Sequence, residues 1–544
     1  MAVLQDDSMK RSLAESMCGG IILLVLYTPV ARTRSNAVDV SDADGIYVWF
    51  QWIAYYIVYA VYALYFHPLR GYPGPKFAAI SHLPFIYWEC TGVLQFQIKR
   101  LHDRYGSVVR LGPDKLTYRA PQAWKDICGH RKAGDGHFLK DHRFYFSAVN
   151  GSPTIINANE ADHSRIRRLL AHAFSDRALR EQETLLRSYV DLLVDRLHAQ
   201  ATGPSRGVVD LVQWYSYVTF DIIGDLVFSE PFRCLEDGRF HPWLTLFQSV
   251  RAQPFLRIAR SYPVLAPILS SLAQGLQQKR AAHFQVGVEK LNRRMQKKKT
   301  TPTERPDFLS YILRHNDEKG MTRPEIEATM SVLILAGSET TATLLAGCTY
   351  HLLRNPDVYR RLAGEIRGAF ADEGEITLAS VAQLPYLHAV LEESLRIYPP
   401  VPSILPRLVP EGGAVIDRRF VPGGTSVSIA PWSTYHAECN FRDPESFLPE
   451  RWLDTSGGSN SPESGFESDR KDALQAFSFG PRNCLGKNLA YAEMRLILTR
   501  VLWHFDLQLR GESAGWIEQR AYVLWEKPGL MVRLTPVTPV GRTG

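Results

Sequence analysis

One cysteine of the chain stands in a loop whose residue types suit a metal ligand. Residues 477–486 read FSFGPRNCLG, so Cys484 follows a Gly-Pro-Arg turn and precedes an apolar helical run. A cysteine that only fills space needs no such frame. A ligand needs its sulfur held at the end of a stiff turn, in a field that favours the thiolate. The stretch therefore predicts that Cys484 binds a metal.

The remaining cysteines lack this frame. The chain has 7 cysteines, an odd number, and they form no C-x-x-C pair. Neither a disulfide framework nor a structural zinc site is supported, and a reducing compartment fits best. These cysteines are expected to be packing residues: Cys18, Cys90, Cys128, Cys234, Cys348 and Cys439.

Polar groups that could move protons lie in the middle of a long predicted helix. Residues 336–341 read AGSETT between apolar flanks. Either the polar groups face solvent or bond back to the preceding turn, or the helix widens at Gly337 so that a small ligand lies against its backbone. In the second case Glu339 and the adjacent threonines supply a carboxyl and a hydroxyl for proton delivery.

The elements that must position these groups are mainly helical, with a few short strands. A capping box at Thr322–Glu325 and the stop at Asn355–Pro356 predict a helix of about thirty residues around AGSETT, far above the usual length. Other helices are expected at 163–174, 179–198, 211–227, 283–295 and 384–396, and strands at 107–111 and 425–429. Residues 453–472 read as a mobile surface insertion.

Three charged side chains could support the core. Glu393 and Arg396 share one helix face and can pair, and by chemistry alone they form a routine helix pair. A buried pair would need a third partner, and Arg451 in the PERW stretch is a candidate.

The front of the chain predicts a membrane anchor. Residues 46–66 carry no charge and are long enough to cross a hydrocarbon core of roughly 30 Å. Acidic residues precede this run and Arg70 follows it, which places the bulk of the chain in the cytosol. Within the N-terminal segment 1–45, the shorter apolar run 19–31 is either a second span or a segment lying on the surface. Residues 67–76 form a Pro/Gly hinge before a catalytic domain at 77–544.

Composition limits the partners. The chain has 544 residues, 45% hydrophobic and 22% charged, with a net charge of +7. This is ordinary globular composition, and the charge is too mild to indicate nucleic acid. A membrane-bound protein or a lipophilic small molecule is the expected partner.

The stretches AGSETT, ESLR, PERW and FSFGPRNCLG, in this order and spacing, resemble the cytochrome P-450 family of haem-thiolate monooxygenases. The resemblance covers nearly the whole chain after the hinge and implies the cytochrome P-450 fold, mainly α with small β-sheets. It also implies haem b, with the Cys484 thiolate as the axial iron ligand that favours O–O cleavage.

The resemblance assigns further residues. Glycines at 480 and 486 would permit a tight turn and close approach of the backbone to the porphyrin. Glu393, Arg396 and Arg451 match the family's buried triad, which serves folding and haem retention. The cofactor-binding set it implies is Cys484, Arg482 and Arg407 (toward the propionates), His163 (where tryptophan is usual), Arg167, Gly337, Phe477 and Gly480, with Thr340 and Glu339 as the catalytic proton-delivery pair.

The implied activity is insertion of one oxygen atom of O2 into a lipophilic substrate, by hydroxylation or epoxidation. Electrons would come from NADPH through a membrane-bound NADPH–cytochrome reductase at the endoplasmic reticulum, docked on a basic face of Arg165, Arg168 and Lys487. Two alternatives stay open: a reductase-independent isomerase or dehydratase of the same fold, and a haem-binding sensor. The Glu339–Thr340 pair favours the monooxygenase.

The substrate is less well defined by the sequence. The expected pocket walls are the segment before His163, residues 228–263, residues 403–405 and residues 522–525, all apolar or aromatic. The stretches 407–413 and 421–425 resemble fungal microsomal members, which commonly act on polyketides, terpenes or alkaloids.

Overall fold

The computed structural model describes residues 42–132, 136–145, 147–239, 254, 257–258, 274–300, 307–316, 320–453 and 465–537. The chain divides into two units, Met1–Gly71 and Tyr72–Gly544.

In the first unit, the predicted anchor is helical. Helix α1 covers Asp42–Val61, a π-helical turn covers Tyr62–Phe66 and a 3-10 turn covers Pro68–Gly71. Large apolar side chains are exposed along it, among them Trp49 at 71% and Val58 at 68%. The apolar run 19–31 lies outside the described residues.

The second unit is mainly helical, as predicted. Its described helices are α2 Lys76–Ile80, α3 Leu83–Cys90, α4 Leu94–Tyr105, α5 Gln122–Cys128, α6 Glu160–Ala171, α7 Asp176–Thr202, α8 Leu211–Phe228, α9 Cys234–Asp237, α10 Gln274–Thr300, α11 Phe308–His315, α12 Arg323–Arg354, α13 Pro356–Ala369, α14 Leu378–Val381, α15 Pro385–Ile397, α16 Pro431–Tyr435 and α17 Lys487–His504.

Twelve described strands form small sheets. They are β1 Val108–Gly112, β2 Lys115–Tyr118, β3 Leu139–Lys140, β4 Val208–Asp210, β5 Arg407–Leu408, β6 Ala414–Ile416, β7 Arg419–Val421, β8 Ser426–Ile429, β9 Phe505–Leu509, β10 Arg520–Tyr522, β11 Leu524–Glu526 and β12 Met531–Pro536. The largest sheet has the order β1-β2-β8-β5-β3, and a three-stranded sheet has the order β4-β12-β9. β2 and β8 pair in parallel, whereas β5 pairs antiparallel with both of its neighbours.

Helix α12 runs through the core against α8. Its capping box is formed as predicted by Thr322 and Glu325, and the helix has 32 residues. Within the described part of the chain, it is the one helix whose length and composition would suffice to cross a membrane, but 72% of its apolar window is buried in the protein. It is therefore a core helix.

The segment 453–472 is held to the fold where the structure describes it. Asp469 forms an ion pair with the buried Arg451, and the Arg470 N–H donates to the Asn440 carbonyl at 2.7 Å. Residues 454–464 of the predicted mobile insertion lie outside the described residues.

Candidate active site

The cysteine loop is closed by its own backbone. The Cys484 N–H donates to the Phe477 carbonyl at 2.8 Å, and a 3-10 turn covers Gly480–Arg482 between them. The Phe477 ring packs 5.2 Å from the Tyr491 ring of α17. Because the loop is tied at both ends, the exposed Cys484 side chain is presented just before the N-terminus of α17.

The two glycines of the loop have different roles. Gly480 has a φ of +73°, and a Cβ there would collide with the Cys128 carbonyl of α5. The backbone at Gly480 therefore lies close to the backbone of Cys128. This contact is a reason for glycine in addition to the predicted approach of the backbone to the porphyrin. Gly486 has an ordinary φ of −85° and leads into α17.

The protonation of the Cys484 sulfur is influenced by groups from α6 and from the start of α17. Although the Cys484 side chain is accessible, the protein packed around it desolvates the thiol and raises its pKa. The Gly486 N–H and the charges of Arg167 and Lys487 act in the opposite direction. Arg167 of α6 donates to the backbone carbonyl of Asn483 at 2.7 Å and to its side-chain oxygen at 2.6 Å. The structure thus brings Arg167 to the cysteine loop, where it braces the residue before the sulfur.

The other predicted cofactor-binding cations meet in a cluster beside the large sheet. In the β3–β5 pair, Lys140 lies directly opposite Arg407. Burial and the charges of Arg407 and Arg482 lower the pKa of Lys140 well below its ordinary value. Like charges opposite each other destabilise a strand pair, so this register calls for an anion.

His163 and Glu160 lie beside this cluster. Burial, followed by Arg482 and Arg167, lowers the pKa of His163 to about 4, so its imidazole is neutral at pH 7. Arg482 forms an ion pair with Glu160 at 3.1 Å and donates to the Ala158 carbonyl at 2.9 Å. Among the described residues, Glu160 is the acid that pairs with the cluster, which leaves Lys140 and Arg407 without a carboxylate.

This donor set fits haem. A cysteine sulfur at the end of a tied loop suits the axial ligand, and an excess of buried cations suits the propionates. Lys140 was not among the residues expected from the sequence. Its place opposite Arg407 depends on strand pairing, which local sequence patterns do not reveal.

On α12, the predicted widening at Gly337 is instead a helix contact. A Cβ on Gly337 would lie 2.7 Å from the Ile223 Cδ1 of α8. The missing side chain therefore lets the two helices pack closely. One turn further on, the half-buried Thr340 hydroxyl donates to the Ala336 carbonyl at 2.7 Å, while Leu335 and Ala336 are exposed.

The acid beside Thr340 is already paired. Glu339 forms a buried ion pair with Lys527, which follows β11. The Lys527 ammonium also donates to the Thr343 hydroxyl at 2.7 Å. Nothing in the AGSETT stretch itself indicated Lys527, because it lies 188 positions away in the sequence.

Another buried acid lies between α12 and α17. Glu493 is 2% exposed, and its hydrogen-bond partner is the Thr341 hydroxyl. Burial raises the pKa of Glu493 to about 8, so the carboxyl is mostly protonated at pH 7. Its helical spacing from Leu489 and Leu496 was a sequence signal for burial.

The triad is buried, as the resemblance implied and the local chemistry alone did not. Glu393 accepts from Arg396 at 2.7 and 2.9 Å and from the Arg451 Nε at 3.1 Å, with all three side chains fully buried. Burial opposes ionisation, but Arg396 and Arg451 hold the pKa of Glu393 below its ordinary value. The Leu448 N–H and the Trp452 indole N–H also donate to this carboxylate at 2.9 Å.

One of the three cations predicted to form a docking face, Arg165, is already paired. Arg165 is bound to Glu325 at 2.6 Å and to Asp162 at 2.7 Å. It therefore secures the start of α12 and is not a free cation. Arg168 and Lys487 are exposed.

The predicted pocket walls are partly core. Trp525 is 3% exposed, stacks on Tyr398 and donates to the Pro399 carbonyl at 2.8 Å, while Leu405 is 39% exposed. Residues 240–253, 255–256 and 259–263 of the expected wall lie outside the described residues. A cavity of about 220 Å³ beside the sheet is lined in part by Ile404, Pro406 and Phe144.

Three features together define a haem-thiolate protein: the tied cysteine loop, the buried cation cluster and the polar AGSETT stretch in the long core helix α12. The cytochrome P-450 family profile matches residues 73–534. The chain is 51% identical over 472 residues to the cytochrome P-450 monooxygenase astJ of Aspergillus oryzae, covering 86% of this chain and 92% of that protein.

Two further relatives agree. The cytochrome P-450 monooxygenase astA of Talaromyces wortmannii is 48% identical over 475 residues, covering 87% of this chain and 93% of the relative. The averantin hydroxylase of Dothistroma septosporum is 43% identical over 486 residues, covering 87% of this chain and 88% of the relative. The chain therefore belongs to the cytochrome P-450 family and is a haem-thiolate monooxygenase.

Proposed function

We propose that the protein is a membrane-anchored monooxygenase that hydroxylates or epoxidises a lipophilic intermediate of fungal secondary metabolism. The observation that carries this is the presentation of Cys484 by a tied loop beside a buried cation cluster. The relatives support the metabolic setting, since one of them is named for hydroxylation of averantin.

Haem b would be held by Cys484 at its iron and by Arg407, Arg482 and Lys140 at its propionates, with His163 as a neutral neighbour. When bound, the haem supplies dioxygen activation and the oxidising power of the reaction. The protein's own part is to hold the sulfur, neutralise the propionates and exclude water. Arg167 would contribute by bracing Asn483.

The α12 side chains would handle protons. Thr340 lies on the half-exposed side of the helix and its hydroxyl donates to Ala336, so it would accept and pass a proton while Glu339 supplies the charge behind it. NADPH would supply the electrons through a membrane-bound reductase, with Arg168 and Lys487 in its docking face.

The exposed apolar side chains of α1 support the anchor, because a helix that exposes several aromatic and aliphatic groups suits lipid. The bulk of the chain would then lie in the cytosol at the endoplasmic reticulum. Alkaline extraction tests this: the full chain should stay in the membrane fraction, and recovery of the intact chain in the soluble fraction would contradict the anchor.

Metabolite profiling of a strain without the gene tests the activity. We expect an apolar precursor to accumulate, and the purified full chain with reductase and NADPH should convert it to a product carrying one atom of isotopically heavy dioxygen. A product formed without reductase, or without the heavy atom, would favour the isomerase alternative. Matched profiles in the two strains would refute the metabolic role.

A further inference from the structure

The Tyr491 side chain connects the cysteine loop to a carboxylate. The Phe477 carbonyl accepts the Cys484 N–H at 2.8 Å, and the Phe477 and Tyr491 rings pack with centroids 5.2 Å apart at a tilt of 40°. The Tyr491 hydroxyl donates to the Glu392 carboxylate of α15. A continuous series of contacts therefore runs from the backbone of the predicted iron ligand, through two rings, to a proton acceptor.

The hydrogen bond to Glu392 keeps Tyr491 a neutral phenol with a base beside it. Burial, and then the charge of Glu392, raise the pKa of Tyr491 above its ordinary value, so the hydroxyl does not ionise at neutral pH. A phenol that loses an electron becomes a very strong acid, so it is oxidised easily only where its proton can leave at the same moment. An ionised carboxylate has acceptor oxygens only and can take that proton. Tyr491 thus meets the chemical condition for reversible one-electron oxidation.

The far side of this pair reaches the surface. The His388 ring lies 6.1 Å from the Tyr491 ring, its Nδ1 lies 4.0 Å from the Glu392 Oε1, and its side chain is 46% exposed. The cations Arg495 and Lys487 lie 5.0 and 5.9 Å from the centre of the Tyr491 ring. They oppose removal of an electron from the ring, and the negative charge of Glu392 offsets them. A small reductant in solution can therefore approach the pair.

Two other tyrosines donate to glutamates without touching the cysteine loop. Tyr386 donates to Glu450 at 2.8 Å, and Tyr311 donates to Glu181 at 2.7 Å. The bond alone is therefore an ordinary way to satisfy a tyrosine hydroxyl. Among the aromatic contacts of the described residues, neither of these two rings packs on a ring of the cysteine loop, whereas Tyr491 does. Its place distinguishes Tyr491, and the other two pairs supply matched controls.

We propose that Tyr491 is a redox-active residue that returns an electron to the haem after a peroxide has oxidised it in the absence of substrate. The peroxide takes two electrons from the haem protein. Tyr491 gives one electron back through Phe477, its phenolic proton moves to Glu392, and a neutral phenoxyl radical remains. One electron from a small reductant such as ascorbate, with the proton returned by Glu392, restores the phenol. The empty enzyme is thus protected from its own oxidant, a function beyond the monooxygenation proposed above.

The test uses the full-length haem-loaded protein in its ferric state, without substrate. The protein is mixed with meta-chloroperbenzoic acid, frozen rapidly and measured by electron paramagnetic resonance. The wild type should give a tyrosyl radical signal whose hyperfine splitting changes when the protein contains ring-deuterated tyrosine. Tyr491→Phe, which keeps a ring beside Phe477, should lose this signal. Glu392→Gln should lose it too, because an amide accepts the hydrogen bond but does not take the proton. Tyr386→Phe is the matched control and should keep it.

A second measurement follows the protection itself. Loss of the haem Soret absorbance is recorded as the peracid is added. Tyr491→Phe should lose its haem absorbance faster than the wild type, whereas Tyr386→Phe should follow the wild type. Ascorbate added after the peracid should shorten the lifetime of the wild-type radical signal, because it reduces the phenoxyl radical.

Mapping of the radical in the wild type keeps the proposal testable if Tyr491→Phe does not retain haem. A nitroso spin trap present during the peracid reaction should leave an adduct on Tyr491, located by peptide mass spectrometry. Adducts confined to other residues would overturn the proposal, as would a wild type without a tyrosyl signal or a Tyr491→Phe protein that keeps it. Equal loss of the signal in Tyr386→Phe would do the same. A normal ferrous carbon monoxide spectrum in each protein separates these failures from failure of the haem-thiolate assignment, on which the proposal rests.

Discussion

Replacing the buried Glu493 by glutamine should stabilise the protein at neutral pH. The carboxyl has a pKa of about 8 in the folded protein, against 4.5 for an ordinary glutamate side chain. At pH 7 the folded state therefore keeps a proton that the unfolded state releases. At pH 7 this gap costs about 3 kcal/mol, from about 1.4 kcal/mol per pH unit. An amide carries no such cost and can keep the hydrogen bond to Thr341.

The direction of the pKa shift sets the pH range of the effect. Glu493 destabilises the folded state least below pH 4.5 and most above about pH 8. The stability of the wild type should therefore fall relative to that of Glu493→Gln as the pH rises between these values. Unfolding of a unit of this size has an entropy of about 1 kcal/mol/K, so the gain at pH 7 corresponds to about 3 °C in Tm.

The assay is thermal unfolding of the detergent-solubilised full chain at pH 5.0, 6.0, 7.0 and about 8.0, conditions that span this window. Glu438→Gln, at an exposed position, is the matched control and should follow the wild type at every pH. If the Glu493→Gln and wild-type curves run parallel across the window, Glu493 does not carry a proton in the fold and the reasoning from its burial is wrong.

Two further substitutions test the parts that we propose to hold the cofactor. Glu393→Ala leaves Arg396 and Arg451 buried without their carboxylate and should cost about 3–5 kcal/mol, seen as a lower Tm and less haem per polypeptide; an unchanged Tm would contradict the buried triad. Lys140→Met should speed haem transfer to apomyoglobin by roughly tenfold, the loss of one hydrogen bond to a charged group, whereas Lys132→Met, at a lysine outside the cluster, should not; equal rates would remove Lys140 from the propionate site.

The sequence could predict what depends on local pattern. The capping box at Thr322 and the stop at Asn355 define α12 to within a residue, because both signals act within one helical turn. The cysteine loop could likewise be predicted from the sequence, because its turn and Cys484 are neighbours in the chain.

Contacts between distant segments could not be read in this way. Lys140 meets Arg407 only because β3 pairs with β5. Lys527 meets Glu339 only because the chain that follows β11 passes close to α12. The same limit explains Gly337, whose neighbour Ile223 comes from another helix, and Arg165, whose partner Glu325 caps a helix far along the chain.

The central claim is that the Cys484 thiolate binds the haem iron, and the ferrous carbon monoxide difference spectrum tests it most directly. The full-length protein should show the strongly red-shifted Soret band of a haem-thiolate, and Cys484→Ala should lose it. A wild-type spectrum without that band, or a Cys484→Ala protein that keeps it, would contradict the account.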